Sequence, residues 1–119
     1  MGPVNWLAVV LASVVAGGLA LPWYGLWRVT RGPAALRLAL WLVPAAMIGH
    51  NFARVGAAAL AAKPWLYWMM SGGFALAIVL PAQAIAYGRH GIGGREAWAD
   101  ATYWLAGFLA IGTVFWAMR

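Results

Sequence analysis

The chain has 119 residues, of which 66% are hydrophobic and only 8% are charged. Soluble domains carry about one-quarter charged residues, so this composition excludes a water-exposed globular fold. Lys and Arg outnumber Asp and Glu by eight to two. Because these cations flank apolar runs, we interpret them as residues that set the membrane topology and contact anionic lipid. This interpretation is favoured over nucleic acid as a partner. The absence of Cys excludes disulfides and thiolate metal sites.

Four apolar runs follow one another along the chain, and each approaches or exceeds the ~20 residues that cross ~30 Å of hydrocarbon. They predict an all-α fold, an integral membrane antiparallel bundle of four transmembrane helices at about 5–27, 37–62, 65–88 and 97–118. The short connections make successive helices antiparallel neighbours within a single domain, residues 1–119. The first run has no preceding Lys or Arg and exceeds a signal-peptide core, so we interpret it as a retained helix.

The loop cations predict an orientation. Segments 28–37 and 88–97 hold five arginines, whereas the opposite side has only Lys63 and Arg119. Since positive loops stay inside, we expect a bacterial inner-membrane protein with these loops in the cytoplasm and both termini outside. The arginines predicted to contact anionic lipid are Arg28, Arg31, Arg37, Arg89 and Arg95.

Small residues recur at the spacing that lets helices approach closely in lipid, where hydrophobicity does not favour helix over lipid. We expect helix packing through Ala12, Ala16, Ala20, Gly49, Ala53, Ala57, Gly72 and Gly73.

A polar cluster interrupts the second apolar run, and its predicted members are His50, Asn51, Arg54 and Ser71. His50 is thirteen residues from both Arg37 and Lys63, which predicts a position near the bilayer midplane. Arg54 follows one turn later on the same face, and helical side chains lean toward the N-terminus, here toward the membrane centre. An Arg at such depth needs a partner. Ser71 lies at matching predicted depth, whereas both acids of the chain lie at the other end. The possible partners of Arg54 are therefore neutral hydrogen-bond acceptors, an anion or lipid, or a carboxylate of another subunit.

His50 admits several interpretations. It fits a neutral imidazole that is hydrogen-bonded between helices, a proton relay, or a ligand. Ala46 precedes it by four residues, a spacing that bacteriochlorophyll-binding helices also use. No cofactor is predicted, and His50 is the one residue that could bind a pigment or haem. The chain has only two His and two acids, and their spacing does not match a metal site. The sequence also has no recognisable set of catalytic residues, so we expect a protein that is not an enzyme.

Both ends of the chain resemble a known family. The chain resembles a bacterial family of small four-helix membrane proteins in its first and last helices. The similarity to the first helix lies in 4–10 (VNWLAVV) and 22–25 (PWYG). The similarity to the last helix lies in 100–105 (DATYWL) and 112–116 (GTVFW). That family is known as the domain of unknown function numbered 1761. The resemblance implies a fold and a membrane location, but no activity or site residues.

Three functions from different classes fit these observations. The favoured one is an accessory or structural subunit of a membrane complex or a homo-oligomer, because the chain has little soluble mass, no catalytic set and an Arg54 that its own acids cannot neutralise. The second is a small oligomeric transporter or channel that moves protons or an anion past His50 and Arg54. The third is pigment or haem binding through His50.

Overall fold

The computed structural model describes residues 3–119, so Met1 and Gly2 of the predicted single domain lie outside the described residues. The described residues form helices and connections without a strand. The elements are α1 (Trp6–Gly18), α2 (Ala20–Trp27), α3 (Ala34–Val55), α4 (Ala57–Ala62), α5 (Leu66–Phe74), a π-helical turn (Ala75–Val79), α6 (Leu80–His90) and α7 (Gly94–Ala117). Below, α1–α2 and α5–α6 denote the two composite helices, which join through Leu19 and through the π-helical turn.

Two of the three intrahelical prolines coincide with the joints of the composite helices. Leu19 interrupts the helix three residues before Pro22, and the π-helical turn ends two residues before Pro81. Proline lacks a backbone N–H and its ring clashes with the preceding turn, so the helix changes its geometry just ahead of it. Pro44, by contrast, lies within the uninterrupted α3.

The second predicted helix is divided in two, which corrects the expectation of one helix over 37–62. Gly56 has a φ of 91° and ψ of 152°, so α3 ends at Val55 and the short α4 begins at Ala57. A glycine reaches this conformation without a Cβ clash. The end of α3 also carries Arg54 in its last turn, where a cation complements the helix dipole.

Three helices are long and apolar enough to cross a membrane: Trp6–Trp27, Ala34–Val55 and Leu66–His90. The last helix, α7, has 24 residues but is not one of them. Its first turns carry Arg95 and Glu96, and every stretch of 18 residues in it includes Asp100. These charges lower the hydropathy of a helix whose C-terminal half is strongly apolar.

The last helix is nevertheless the centre of the packing. α7 contacts α1–α2 on one side and α5–α6 on the other, both antiparallel to it, while α3 packs mainly against α1. The buried positions of α7 recur at helical spacing and include Tyr103, Phe108, Ile111 and Phe115. The core therefore runs along α7, and α3 reaches it chiefly through the rings of Trp41 and Phe52.

Candidate functional site

The outward side of α3 carries two of the four polar residues that the sequence singled out. Val43, Met47, His50 and Arg54 are all exposed and succeed one another by four, three and four residues. This spacing places them in one line, as at the contact positions of a coiled coil. We call these four residues the outer seam. It begins with apolar side chains and ends with an imidazole and a guanidinium.

His50 lies in the C-terminal third of α3, since the helix ends at Val55 rather than at residue 62. Its Nδ1 is 2.8 Å from the carbonyl oxygen of Ala46, and its ring meets the Trp6 ring edge-on at 5.5 Å. A carbonyl oxygen only accepts, so Nδ1 is the donor of this bond, and Nε2 has no hydrogen-bond partner among the described residues. The bond is within the helix and not between helices. In the neutral ring Nε2 can accept a hydrogen bond or bind a metal centre.

Arg54 lies one turn beyond His50 and is exposed. Within residues 3–119 its side chain makes no hydrogen bond, and no carboxylate lies within 4 Å of it. The dipole of α3 favours its charge at this end of the helix. Its guanidinium is free to pair with an acceptor outside this chain.

Ser71 does not join the outer seam. It is buried, and its Oγ donates to the carbonyl oxygen of Tyr67 at 2.8 Å. It faces Gly112 of α7, where a Cβ would lie 2.5 Å from the serine oxygen. Asn51 is half-buried. Of the four residues in the predicted polar cluster, the structure thus brings only His50 and Arg54 to the same exposed line.

The predicted packing residues are placed unevenly. Ala12, Ala16 and Ala20 are fully buried along α1–α2. On α3, Gly49 is buried against Phe115 and Val9, and Ala53 is half-buried. Ala57 is exposed and belongs to α4, so it does not continue that line.

The two glycines of α5 differ from each other. A Cβ on Gly72 would lie 2.8 Å from the Leu109 side chain, whereas a Cβ on Gly73 would meet nothing within 4 Å. A side chain at position 72 would therefore displace the end of the flexible Leu109 side chain, while the space beside Gly73 is open.

A second polar cluster, which the sequence reasoning missed, surrounds Asp100 at the opposite end of the bundle. The hydroxyl of Tyr24 donates to Oδ1 of Asp100, and that of Tyr87 donates to Oδ2 at 2.5 Å. Through these bonds Asp100 joins α2, α6 and α7, and within the described chain no cation lies within 4 Å of it. The sequence offers one indication of this cluster, because Tyr24 and Tyr87 lie at the same predicted depth as Asp100.

Further hydroxyl and indole bonds surround this tyrosine–Asp100 cluster. The indole of Trp41 donates to the Tyr103 hydroxyl at 2.9 Å, and that hydroxyl donates to the carbonyl oxygen of Ala16 at 2.6 Å. The indole of Trp23 donates to Thr102 at 3.1 Å. Every polar group named in this cluster has a hydrogen-bond partner, which is typical of groups that hold helices together.

In the part of the chain that the structure describes, no three His, Cys, Asp or Glu residues lie close enough to hold a metal ion. Comparison of the chain with protein-family models, with curated proteins and with solved structures finds no match.

Proposed function

We propose that the protein is a non-enzymatic accessory subunit of a membrane complex, held to a partner helix through the outer seam. The observation that carries this proposal is the outward pair of His50 and Arg54. Polar groups on a membrane-facing surface are costly unless they pair with other groups. His50 is exposed more than one turn inside the end of α3, and its Nε2 has no hydrogen-bond partner in the described chain.

We further propose that the chain forms a four-helix bundle that spans the bacterial inner membrane. Three helices have the required length and hydropathy. α7 supports a fourth crossing because it packs against the others from end to end, with Asn5 bonded to the Met118 carbonyl at one end and Tyr24 to Asp100 at the other. The charge of Asp100 is then at the edge of the membrane, satisfied by tyrosine hydroxyls.

The contacts between the first and last helices also bear on the resemblance to the domain of unknown function numbered 1761. Trp23 and Tyr24 of the first motif bond Thr102 and Asp100 of the last motif. Membership of that family is part of our proposal, and these paired motifs support it because they hold the terminal helices together.

The proposed orientation places the arginine-rich loops in the cytoplasm. The chain has no Cys, so single cysteines can report accessibility without background. In intact cells we expect a membrane-impermeant maleimide to label Ala62→Cys, and to label Thr30→Cys only after permeabilisation. The opposite pattern would refute the orientation, and equal labelling of both sites in intact cells would refute the span between them.

The chemistry of the partner follows from the charges. The chain holds only two acids, and both lie in the first two turns of α7, far from the Phe52–Phe115 contact beside Arg54. A second copy in the same orientation would carry its acids at that same distant end. We therefore propose a different membrane chain whose helix presents a carboxylate to Arg54.

Arg54→Gln is expected to reduce the fraction of protein that elutes with a larger complex about tenfold, because a charge-assisted hydrogen bond contributes about 1.5–3 kcal/mol. The measurement is the mass of particles extracted from native membranes in mild detergent, compared with 12.7 kDa for one chain. Lys63→Gln is the matched control, since it removes an exposed cation from the same end of the bundle. A monomeric wild-type protein, or equal losses in both variants, would contradict the proposal.

A photo-crosslinking residue tests whether the outer seam is the contact surface. Placed at Met47 on the outer seam, it should join the chain to a partner, whereas at Ile78 of α5–α6, which is also exposed, it should react with lipid alone. A crosslink from Met47 to a second copy of this chain would replace the proposed heteromeric complex with a homo-oligomer.

A further inference from the structure

A groove lies between the first turns of α3 and the N-terminal half of α7, toward the end of the bundle that carries the arginine-rich loops. It encloses about 190 Å³. Arg31 and Arg37 are the charged residues among those that line it, and its apolar lining includes Leu36, Leu40 and Trp104. The groove is thus cationic at one part of its lining and apolar elsewhere, which is the chemistry that an anionic amphiphile requires.

The position of Arg37 is fixed by the backbone. Its Nε donates to the carbonyl oxygen of Gly17 at 2.9 Å, and one terminal nitrogen donates to the carbonyl oxygen of Arg31 at 3.1 Å. A guanidinium has five N–H groups, so about three remain for a ligand. Because Arg37 is half-buried, its side chain loses little further freedom when an anion binds.

The charge at the groove is uncompensated. Among residues 3–119 no carboxylate lies within 4 Å of Arg31 or Arg37, and Asp100 nearby is engaged by two tyrosines. Arg28, Arg89 and Arg95 are exposed and do not line the groove. The five arginines of the basic loops therefore divide into two that form a shaped site and three that present charge at the surface.

We propose that this groove binds one anionic phospholipid, with its phosphate at Arg31 and Arg37 and the upper part of an acyl chain along Leu36, Leu40 and Trp104. Basic pockets between membrane helices recognise lipid phosphates in this way, and guanidinium groups match phosphate oxygens geometrically. Leu36 and Leu40 are exposed, so the rest of the acyl chain continues into the surrounding lipid.

The test measures phospholipid retained on the purified protein by native mass spectrometry, using phosphatidylglycerol against phosphatidylcholine. We expect one phosphatidylglycerol per chain and about fivefold weaker binding in Arg31→Gln, the contribution of one basic residue near an anionic surface. Arg31→Gln keeps the backbone carbonyl that accepts from Arg37, so the groove retains its shape. Arg28→Gln is the matched control, because it removes the same charge from the same loop but does not line the groove.

Each alternative has its own result. Equal weakening by Arg28→Gln and Arg31→Gln would overturn the site in favour of diffuse surface charge. Equal retention of the two lipids would overturn the requirement for an anion. Displacement of the lipid by millimolar inorganic phosphate would assign the groove to a soluble anion and overturn the lipid. A photoreactive acyl chain that crosslinks within 36–41 in the wild type, but not in Arg31→Gln, would support the proposal.

Discussion

Asp100→Ala is expected to lower the free energy of unfolding by about 2–3 kcal/mol. The carboxylate accepts a hydrogen bond from Tyr24 and another from Tyr87, so its removal leaves two phenolic hydroxyls without an acceptor and disconnects α2, α6 and α7. Hydrogen bonds to charged groups contribute about 1.5–3 kcal/mol each in proteins generally, and about half as much between membrane helices. Titration of the refolded protein with a denaturing detergent measures this change.

Glu96→Gln is the matched control for Asp100→Ala. Glu96 lies one turn earlier on α7, is exposed, and makes no side-chain hydrogen bond within residues 3–119. We expect its substitution to change the free energy of unfolding by less than about 0.5 kcal/mol. Tyr24→Phe and Tyr87→Phe should each cause a part of the loss seen in Asp100→Ala. If Asp100→Ala and Glu96→Gln had the same effect, the tyrosine–Asp100 cluster would not stabilise the fold.

Gly112→Ala and Gly73→Ala are expected to act in opposite directions although both lie on the α5–α7 pair. A Cβ on Gly112 would lie 2.5 Å from Ser71 Oγ and 2.6 Å from the carbonyl oxygen of Tyr67. Overpacking of this kind destabilises by about 1–3 kcal/mol. Gly73 has open space around its Cβ position, so alanine there should stabilise the helix by about 0.5–1 kcal/mol.

The double variant Gly112→Ala with Ser71→Ala separates the two collisions. It relieves the clash with the serine oxygen but not the clash with the backbone oxygen of Tyr67, which cannot rotate away. We therefore expect only partial recovery of the free energy of unfolding in the same detergent titration. Full recovery would show that α5 and α7 are less closely packed at this point than the structure places them.

The existence and approximate extent of the long helices could be predicted because apolar runs of this length leave few other structures. The division at Gly56 could not be predicted from hydropathy, since Gly49 lies seven residues earlier in the same run and stays helical. The available signal was Arg54 followed by Gly56, a cation in a last turn and a glycine just beyond it. A continuous helix over 37–62 predicts His50 at its middle, whereas α3 ends at Val55 and leaves His50 in its C-terminal third.

The polar residues were harder to place, because their partners come from distant parts of the sequence. Tyr24 and Asp100 are separated by 76 residues, and no local sequence pattern predicts their contact. The sequence predicts equal depth for Ser71 and Arg54, but depth does not determine which way a side chain faces, and Ser71 is buried while Arg54 is exposed. Periodicity did identify His50 and Arg54 as one line, because residues four apart on a helix share a face in any environment.

The central position of α7 has a consequence for biosynthesis. The ribosome completes α7 after α1–α2, α3 and α5–α6, so the helix that the others contact most is the last to arrive. α1 and α3 can pair as a hairpin as they emerge, but α5–α6 has few contacts with α3 and must wait for α7. We therefore expect α7, which is not among the three helices apolar enough to cross a membrane, to complete the packing last, with its small and aromatic side chains filling the space between α1–α2 and α5–α6.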